Sequence, residues 1–115
     1  MKTVRLFAVG VDDEKSKCVL IGQIDESGYL NPDVESFGYI TDVEIDTDQW
    51  TKSIFQLTKP NDTGLMFYGD NTYDPTTTNI FSKPLKVGEL FTVFYDHDDP
   101  ETNKSVLSIR TITDY

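Results

Sequence analysis

The feature that most constrains this chain is a series of short apolar runs separated by clusters of Gly, Pro, Asn and Asp. Runs rich in Val, Ile, Leu, Phe and Tyr cover residues 3–11, 17–24, 29–30, 37–45, 65–68, 80–81, 90–96 and 104–113. Short apolar runs with turn residues between them are typical of all-β sandwiches and barrels. Because 115 residues fit one compact domain, we predict a single domain over 1–115. Its fold class is mainly β, a small antiparallel barrel or sandwich of about seven to eight strands.

Two segments predict how neighbouring strands pair. The sequence Asp-Glu-Ser-Gly at 25–28 is a turn with Gly28 where a positive φ is needed, so the first third of the chain should be an antiparallel meander. The polar segment 97–103 should join the last two strands as a hairpin. Leu107 and Ile109 alternate there with Ser108 and Arg110, which predicts one buried face and one wet face.

One segment has a different period. Trp50, Ile54 and Leu57 stand at i, i+4 and i+7, the spacing of one face of a helix. Thr47 suits an N-cap and Pro60 blocks continuation. The spacing therefore predicts one short helix over about 48–58, and the alternative is a strand over 53–57.

The charge balance restricts the class of partner. Twenty acidic residues against ten basic ones give a net charge of −10. An acidic surface repels phosphate backbones and anionic lipid headgroups, so we expect no direct nucleic-acid binding and no membrane binding. The same field attracts basic proteins, and we expect a basic protein partner. The alternative is that the charge serves only solubility.

Cysteine usage and hydropathy bear on the compartment. Cys18 is the one cysteine, so no internal disulfide can form, which favours a reducing compartment. We find no signal peptide and no apolar stretch near the roughly 20 residues of a membrane span. We therefore expect a cytoplasmic protein. Cys18 lies inside a strand-like run, where a small core residue is the expected role.

The first candidate binding site is an acidic strand. Carboxylates occupy every second position at Asp42, Glu44, Asp46 and Asp48, and strand geometry would put them on one face with Val43 and Ile45 toward the core. Neighbouring like charges repel unless a cation or basic partner neutralises them. This acidic face is our principal predicted binding surface, and the alternative is a solvated outer face paired with lysines on the neighbouring strands.

A polar loop offers a second candidate. It mixes rings with carboxylates and amides, a combination that suits contacts with a sugar or a peptide. A self-packed loop explains the composition equally well. Its candidate binding residues are Tyr68, Asp70, Asn71, Tyr73 and Asp74.

The tip of the last hairpin is a weak metal candidate. Asp96, Asp98, Asp99 and Glu101 supply closely spaced oxygen ligands of the kind that bind Ca²⁺. The spacing lacks the glycine and the terminal glutamate of an EF-hand loop. An ordinary solvated turn is the stronger interpretation, so we predict no metal.

The sequence contains no pattern that names a reaction. His97 is the only histidine, and there is no nucleophile elbow, phosphate-binding loop or dinucleotide fingerprint. We expect no enzyme and no cofactor, but a protein-binding module of the inhibitor or immunity type that caps a basic partner. The alternatives are an assembly subunit that self-associates through an edge strand at 104–113, and a β domain that binds a sugar or small ligand through Tyr68 and Tyr73.

Overall fold

The computed structural model describes residues 1–43, 50–69, 75–95 and 104–115. Its regular secondary structure consists almost entirely of antiparallel strands. They are β1 (Lys2–Gly10), β2 (Lys17–Ile24), β3 (Ser36–Val43), β4 (Trp50–Thr58), β5 (Gly64–Tyr68), β6 (Thr76–Thr78), β7 (Leu90–Phe94) and β8 (Lys104–Asp114).

The eight strands form a closed barrel in which each pairs with the next along the chain and β8 returns to β1. The prediction of a small, mainly β barrel is confirmed, and closure decides against a sandwich. The hairpin of β7 and β8 and the pairing of β1 with β2 are also confirmed, but residues 29–30 form only isolated bridges, and the third strand is Ser36–Val43. An eight-stranded barrel has an interior just wide enough for side chains to fill it.

Alternation along each strand sends every second side chain into that interior. On β1 the residues Val4, Leu6 and Ala8 are buried, and on β2 Cys18 and Leu20 are buried, which confirms the core position predicted for Cys18. The core is completed by side chains of the remaining strands and of two connections: Ile24, Leu30, Phe55, Leu57, Met66, Ile80, Phe81, Leu85, Phe91, Val93, Leu107 and Ile109.

The last strand changes phase once. Ile109 pairs with Ala8 and Thr111 pairs with Phe7, so Arg110 is an extra residue between two consecutive positions of β1. Such a bulge lets Ile109 and Ile112, three residues apart, both pack against the core. The alternation predicted for 107–110 is confirmed up to this point.

The helix predicted over 48–58 is wrong, because β4 occupies Trp50–Thr58; residues 48 and 49 lie outside the described part. Phe55 and Leu57 are buried while Ile54 is 68% exposed, so the apolar residues fall on both faces of a strand. The spacing that resembled one helical face joins residues of opposite faces. The alternative, a strand over 53–57, lies within β4.

The polar stretch before Asn79 contains a strand that the sequence did not predict. Thr76 and Thr78 of β6 are buried, and their hydroxyls bond locally: Thr76 Oγ1 is 2.9 Å from Tyr68 Oη, and Thr78 Oγ1 accepts from Ile80 N at 3.3 Å. Threonine is β-branched and suits strands once its hydroxyl is satisfied. Residues 80–81, one of the short apolar runs, begin a 3-10 helix, Ile80–Ser82, and not a strand.

Antiparallel order places successive connections at alternate ends of the barrel. The connections β1–β2, β3–β4, β5–β6 and β7–β8 meet at one end, which we call the acidic end. The connections β2–β3, β4–β5 and β6–β7 meet at the other with both chain termini, and we call it the apolar end.

Side chains from two connections pack into the apolar end. Leu30, Ile80 and Leu85 are buried there as part of the core. Backbone bonds hold these connections together, including Leu85 N to Gly28 O at 2.8 Å and Asn31 N to Gln23 O at 2.8 Å. The turn predicted at 25–28 is present, with Gly28 at a φ of 89°.

Candidate functional site: the acidic end of the barrel

The acidic end concentrates the charge of the chain. Its four connections (11–16, 44–49, 69–75 and 95–103) contain twelve of the twenty carboxylates and one lysine. The three connections of the apolar end contain six carboxylates and three lysines. Three of these carboxylates, Asp12, Asp13 and Glu14, lie in the described connection 11–16, and strand order assigns the other nine to connections that leave and re-enter the barrel at the same end.

The first of these connections shows how its carboxylates are displayed. Gly10 N donates to Ser16 O at 2.8 Å and Ser16 N donates to Asp13 O at 3.0 Å, which closes a tight turn. Asp13 Oδ1 accepts from Lys15 N at 3.0 Å, so this carboxylate is used within the turn. Asp12 and Glu14 are exposed on the same turn.

Only the start of the predicted acidic face falls within the described residues. Asp42 pairs with Thr51 through the backbone of β3 and β4, whereas Glu44, Asp46 and Asp48 lie outside the described part. Ser36 and Ile40 belong to the inner face of β3, and Phe37 points outward. The pairing of β3 with β4 continues without a shift as far as Val43 opposite Trp50, so an outward stripe on even-numbered residues would need a change of phase that the described part of β3 does not contain. The acidic face stays a prediction.

Tyr68 is the one member of the predicted loop site within the described residues. Its ring packs against the core and its hydroxyl bonds to Thr76, so it is part of the barrel lining. Burial raises the pKa of the Tyr68 phenol, and the Thr76 bond opposes part of that rise. Asp70, Asn71, Tyr73 and Asp74 lie outside the described part.

The weak metal candidates Asp96, Asp98, Asp99 and Glu101 also lie outside the described residues. Within the described ranges, no three His, Cys, Asp or Glu side chains gather closely enough to hold a metal ion.

Cys18 lies near the acidic end, one residue into β2. Burial raises the pKa of its thiol from 9.0 to about 12. A thiol with this pKa is protonated at neutral pH, and the protonated form is a poor nucleophile and a poor metal ligand. Cys18 therefore serves packing.

A cleft of about 190 Å³ lies outside the barrel between the β4–β5 turn and the 3-10 helix. Lys59, Asp62, Asn79 and Phe81 contribute to its walls, and Lys59 Nζ is 6.0 Å from the centre of the Phe81 ring. Among the lining residues that the structure describes, Asp62 is the one carboxylate.

Comparison with known protein families, with curated proteins and with solved structures finds no match for this chain. In the part of the chain that the structure describes, no helix has the length and apolar character needed to cross a membrane. Function must therefore be argued from the barrel itself.

Proposed function

We propose that this chain is a non-enzymatic protein-binding domain whose acidic end binds a basic partner protein. The observation that supports the proposal is the connectivity. The antiparallel meander brings four separate acid-rich segments to one rim, although they are spread from residue 11 to residue 103.

A rigid barrel suits this role. The carboxylates belong to connections between strands of one barrel, and their summed field would accelerate encounter with an oppositely charged surface. The interaction is expected to weaken with salt, because charges on a surface are screened over about 8 Å at physiological ionic strength. An inhibitor or immunity-type protein that covers a nucleic-acid site with carboxylates is one concrete form of the proposal. We place this function in the cytoplasm, where the single cysteine would remain reduced.

The experiment is affinity capture from the native host lysate at low salt, with stepwise salt elution and mass spectrometry. The immobilised proteins are the full chain and two triple variants. One carries Asp42→Asn, Glu44→Gln and Asp46→Asn at the acidic end. The matched control carries Asp33→Asn, Glu35→Gln and Asp62→Asn at the apolar end, so both variants lose the same net charge.

A basic protein that elutes between low and moderate salt, is lost from the acidic-end variant and is retained by the control would support the proposal. Equal retention by both variants, or a column that yields only the chain itself, would reject it.

Closure of the barrel bears on the alternative of an assembly subunit. β8 pairs with β7 on one side and with β1 on the other, so it is not a free edge. Self-association through this strand would require the barrel to open. Sedimentation at increasing concentration tests that alternative directly.

A further inference from the structure

A second surface of the barrel has a composition unlike its ends. On the outer wall of β3, β4 and β5, three large apolar side chains are exposed: Phe37 at 53%, Ile54 at 68% and Phe67 at 44%. We call Phe37, Tyr39, Ile54 and Phe67 the aromatic face. Sequence patterns alone do not indicate this face, because an apolar residue in a strand is ordinarily expected to face the core.

Strand register makes the face continuous. Tyr39 is directly opposite Ile54, and Gln56 has Phe37 on one neighbouring strand and Phe67 on the other. Neighbouring strands lie about 4.8 Å apart, so the Cα atoms of Phe37 and Phe67 are roughly 10 Å apart, and Gln56 lies between them. Neighbouring apolar side chains that stay exposed on one surface are characteristic of interaction sites.

The charged side chains described on the strands around the face have one sign. Among the outward positions of β1 to β5 whose side chains the structure describes, none is Asp or Glu, although the chain has twenty acids. They do carry Arg5, Lys17 and Lys52, and Lys52 Nζ stands 4.2 Å from the centre of the Tyr39 ring. Strands contain few lysines as well as few acids. Low strand propensity therefore does not explain why basic residues outnumber acidic ones at these positions, when acids outnumber basic residues in the whole chain.

We propose that the aromatic face binds a partner protein segment that presents apolar side chains flanked by carboxylates. Phe37, Ile54 and Phe67 would cover the apolar side chains, and Lys52 with its neighbouring cations would meet the carboxylates at the rim. This surface is on the wall, between the two ends, and the inference does not depend on the function proposed for the acidic end.

Charge selects this occupant over two others. A two-fold contact with a second copy would bring Arg5 and Lys52 of one copy near the same two cations of the other, and like charges oppose such a contact. A nucleic-acid strand could stack its bases on the rings, but three cations would face a continuous polyanion on a protein of net charge −10. A segment with a few carboxylates meets less repulsion, because screening confines the field of the distant acidic end.

The test uses a random 12-residue peptide library displayed on phage and the immobilised full-length chain. Selected peptides are synthesised, and their Kd is measured by fluorescence anisotropy against the wild type, Phe67→Ser, Lys52→Gln and Leu90→Ser. Leu90 is the matched control, because it is 43% exposed on the wall at β7, away from the face. Circular dichroism and thermal unfolding confirm that each variant is folded.

The expected peptides combine apolar residues with Asp or Glu. Phe67→Ser should raise the Kd of these peptides about tenfold or more, because a central aromatic contact is lost. Leu90→Ser should leave the Kd within about twofold of the wild-type value. Lys52→Gln should weaken binding less and flatten its dependence on salt.

Three results would overturn the proposal. The first is a selection that yields no peptides, or only peptides rich in Lys and Arg whose binding is insensitive to Phe67→Ser. Lysine-rich peptides whose binding is lost in the acidic-end triple variant would belong to the acidic end. The second is binding of fluorescein-labelled oligothymidylate that Phe67→Ser abolishes. The third is a concentration-dependent dimer that the same substitution dissociates, which would assign the face to a second copy.

Discussion

The two ends of the barrel are made by the same eight strands and differ in what their connections contribute. At the apolar end, connections supply Leu30, Ile80 and Leu85 to the core. At the acidic end, the described connection 11–16 is exposed from Val11 to Lys15 and buries only Ser16. One end of a small barrel can therefore provide packing while the other displays charge.

The difference has a physical origin in self-repulsion. A dense group of carboxylates destabilises the folded state unless packing elsewhere compensates. Buried apolar side chains at the opposite end supply such packing without interfering with the charged rim. This division between packing at the apolar end and charge at the acidic end leads to four testable predictions.

The largest effect should come from a cavity at the apolar end. Leu30→Ala removes a buried side chain and should lower the free energy of unfolding by about 2–5 kcal/mol. Val11→Ala at the acidic end, where the side chain is 50% exposed, should change it by no more than about 0.5 kcal/mol. Urea unfolding of both variants measures the difference, and similar values would contradict the division between the ends.

The second prediction asks whether the interior near the acidic end is dry. The Cys18 thiol has a pKa of about 12 when folded and 9.0 ordinarily, so the unfolded chain loses its proton first as the pH rises. Stability is therefore fully present below pH 9 and falls between 9 and 12, by up to about 1.4 kcal/mol per pH unit.

The test compares urea unfolding of the wild type with Cys18→Val between pH 9 and 10, below the ordinary pKa of 10.0 for Tyr68, which is also raised on folding. The variant should lose the alkaline decline that is due to the thiol. Parallel curves for the two proteins would mean that water reaches Cys18.

Backbone conformation gives a matched pair of glycines, one at each end. Gly28 has a φ of 89°, and an added Cβ would meet only ordinary contacts, 3.8 Å from Leu85 O, so the cost of Gly28→Ala is conformational. We expect a loss of about 1–2 kcal/mol. Gly69 has no such φ and no atom within 4 Å of an added Cβ, so Gly69→Ala should be neutral or slightly stabilising. Thermal unfolding compares the two, and a similar loss at Gly69 would refute the assignment.

The smallest effect should come from exposed charge. Asp12→Asn with Glu14→Gln at the acidic end should raise Tm at low ionic strength more than Asp33→Asn with Glu35→Gln at the apolar end. Both gains should vanish in 1 M salt, where screening acts over about 3 Å. Calorimetry at the two salt concentrations makes the measurement, and equal gains at low salt would show that the ends do not differ electrostatically.

Sequence patterns predicted most of this barrel, and the failures have identifiable causes. The strands at 17–24 and 104–113 were found because apolar residues make up most of the first and alternate with polar residues in the second. β4 was assigned to a helix because Ile54 is apolar yet faces solvent, and β6 was missed because its buried residues are threonines. Both errors come from equating polarity with exposure, which tertiary packing overrides.

The candidate sites were less predictable. The sequence identified the acidic segments one at a time, and only strand order brings their connections to one rim. The aromatic face depends on parity: Phe37 and Phe67 are ordinary strand residues until the register turns them outward. Neither feature can be recognised from a short stretch of sequence alone.

Seven of the eight strand pairings join consecutive strands, while the eighth joins β1 to β8 across nearly the whole chain. Local hairpins form quickly, but this last pairing must overcome the entropy of closing a very long loop. Until it forms, the chain is an open sheet whose two outer strands have unpaired backbone groups. Closure is then in competition with pairing to the same strands of another molecule, so rapid refolding at high concentration should favour exchanged dimers and aggregates over the monomeric barrel.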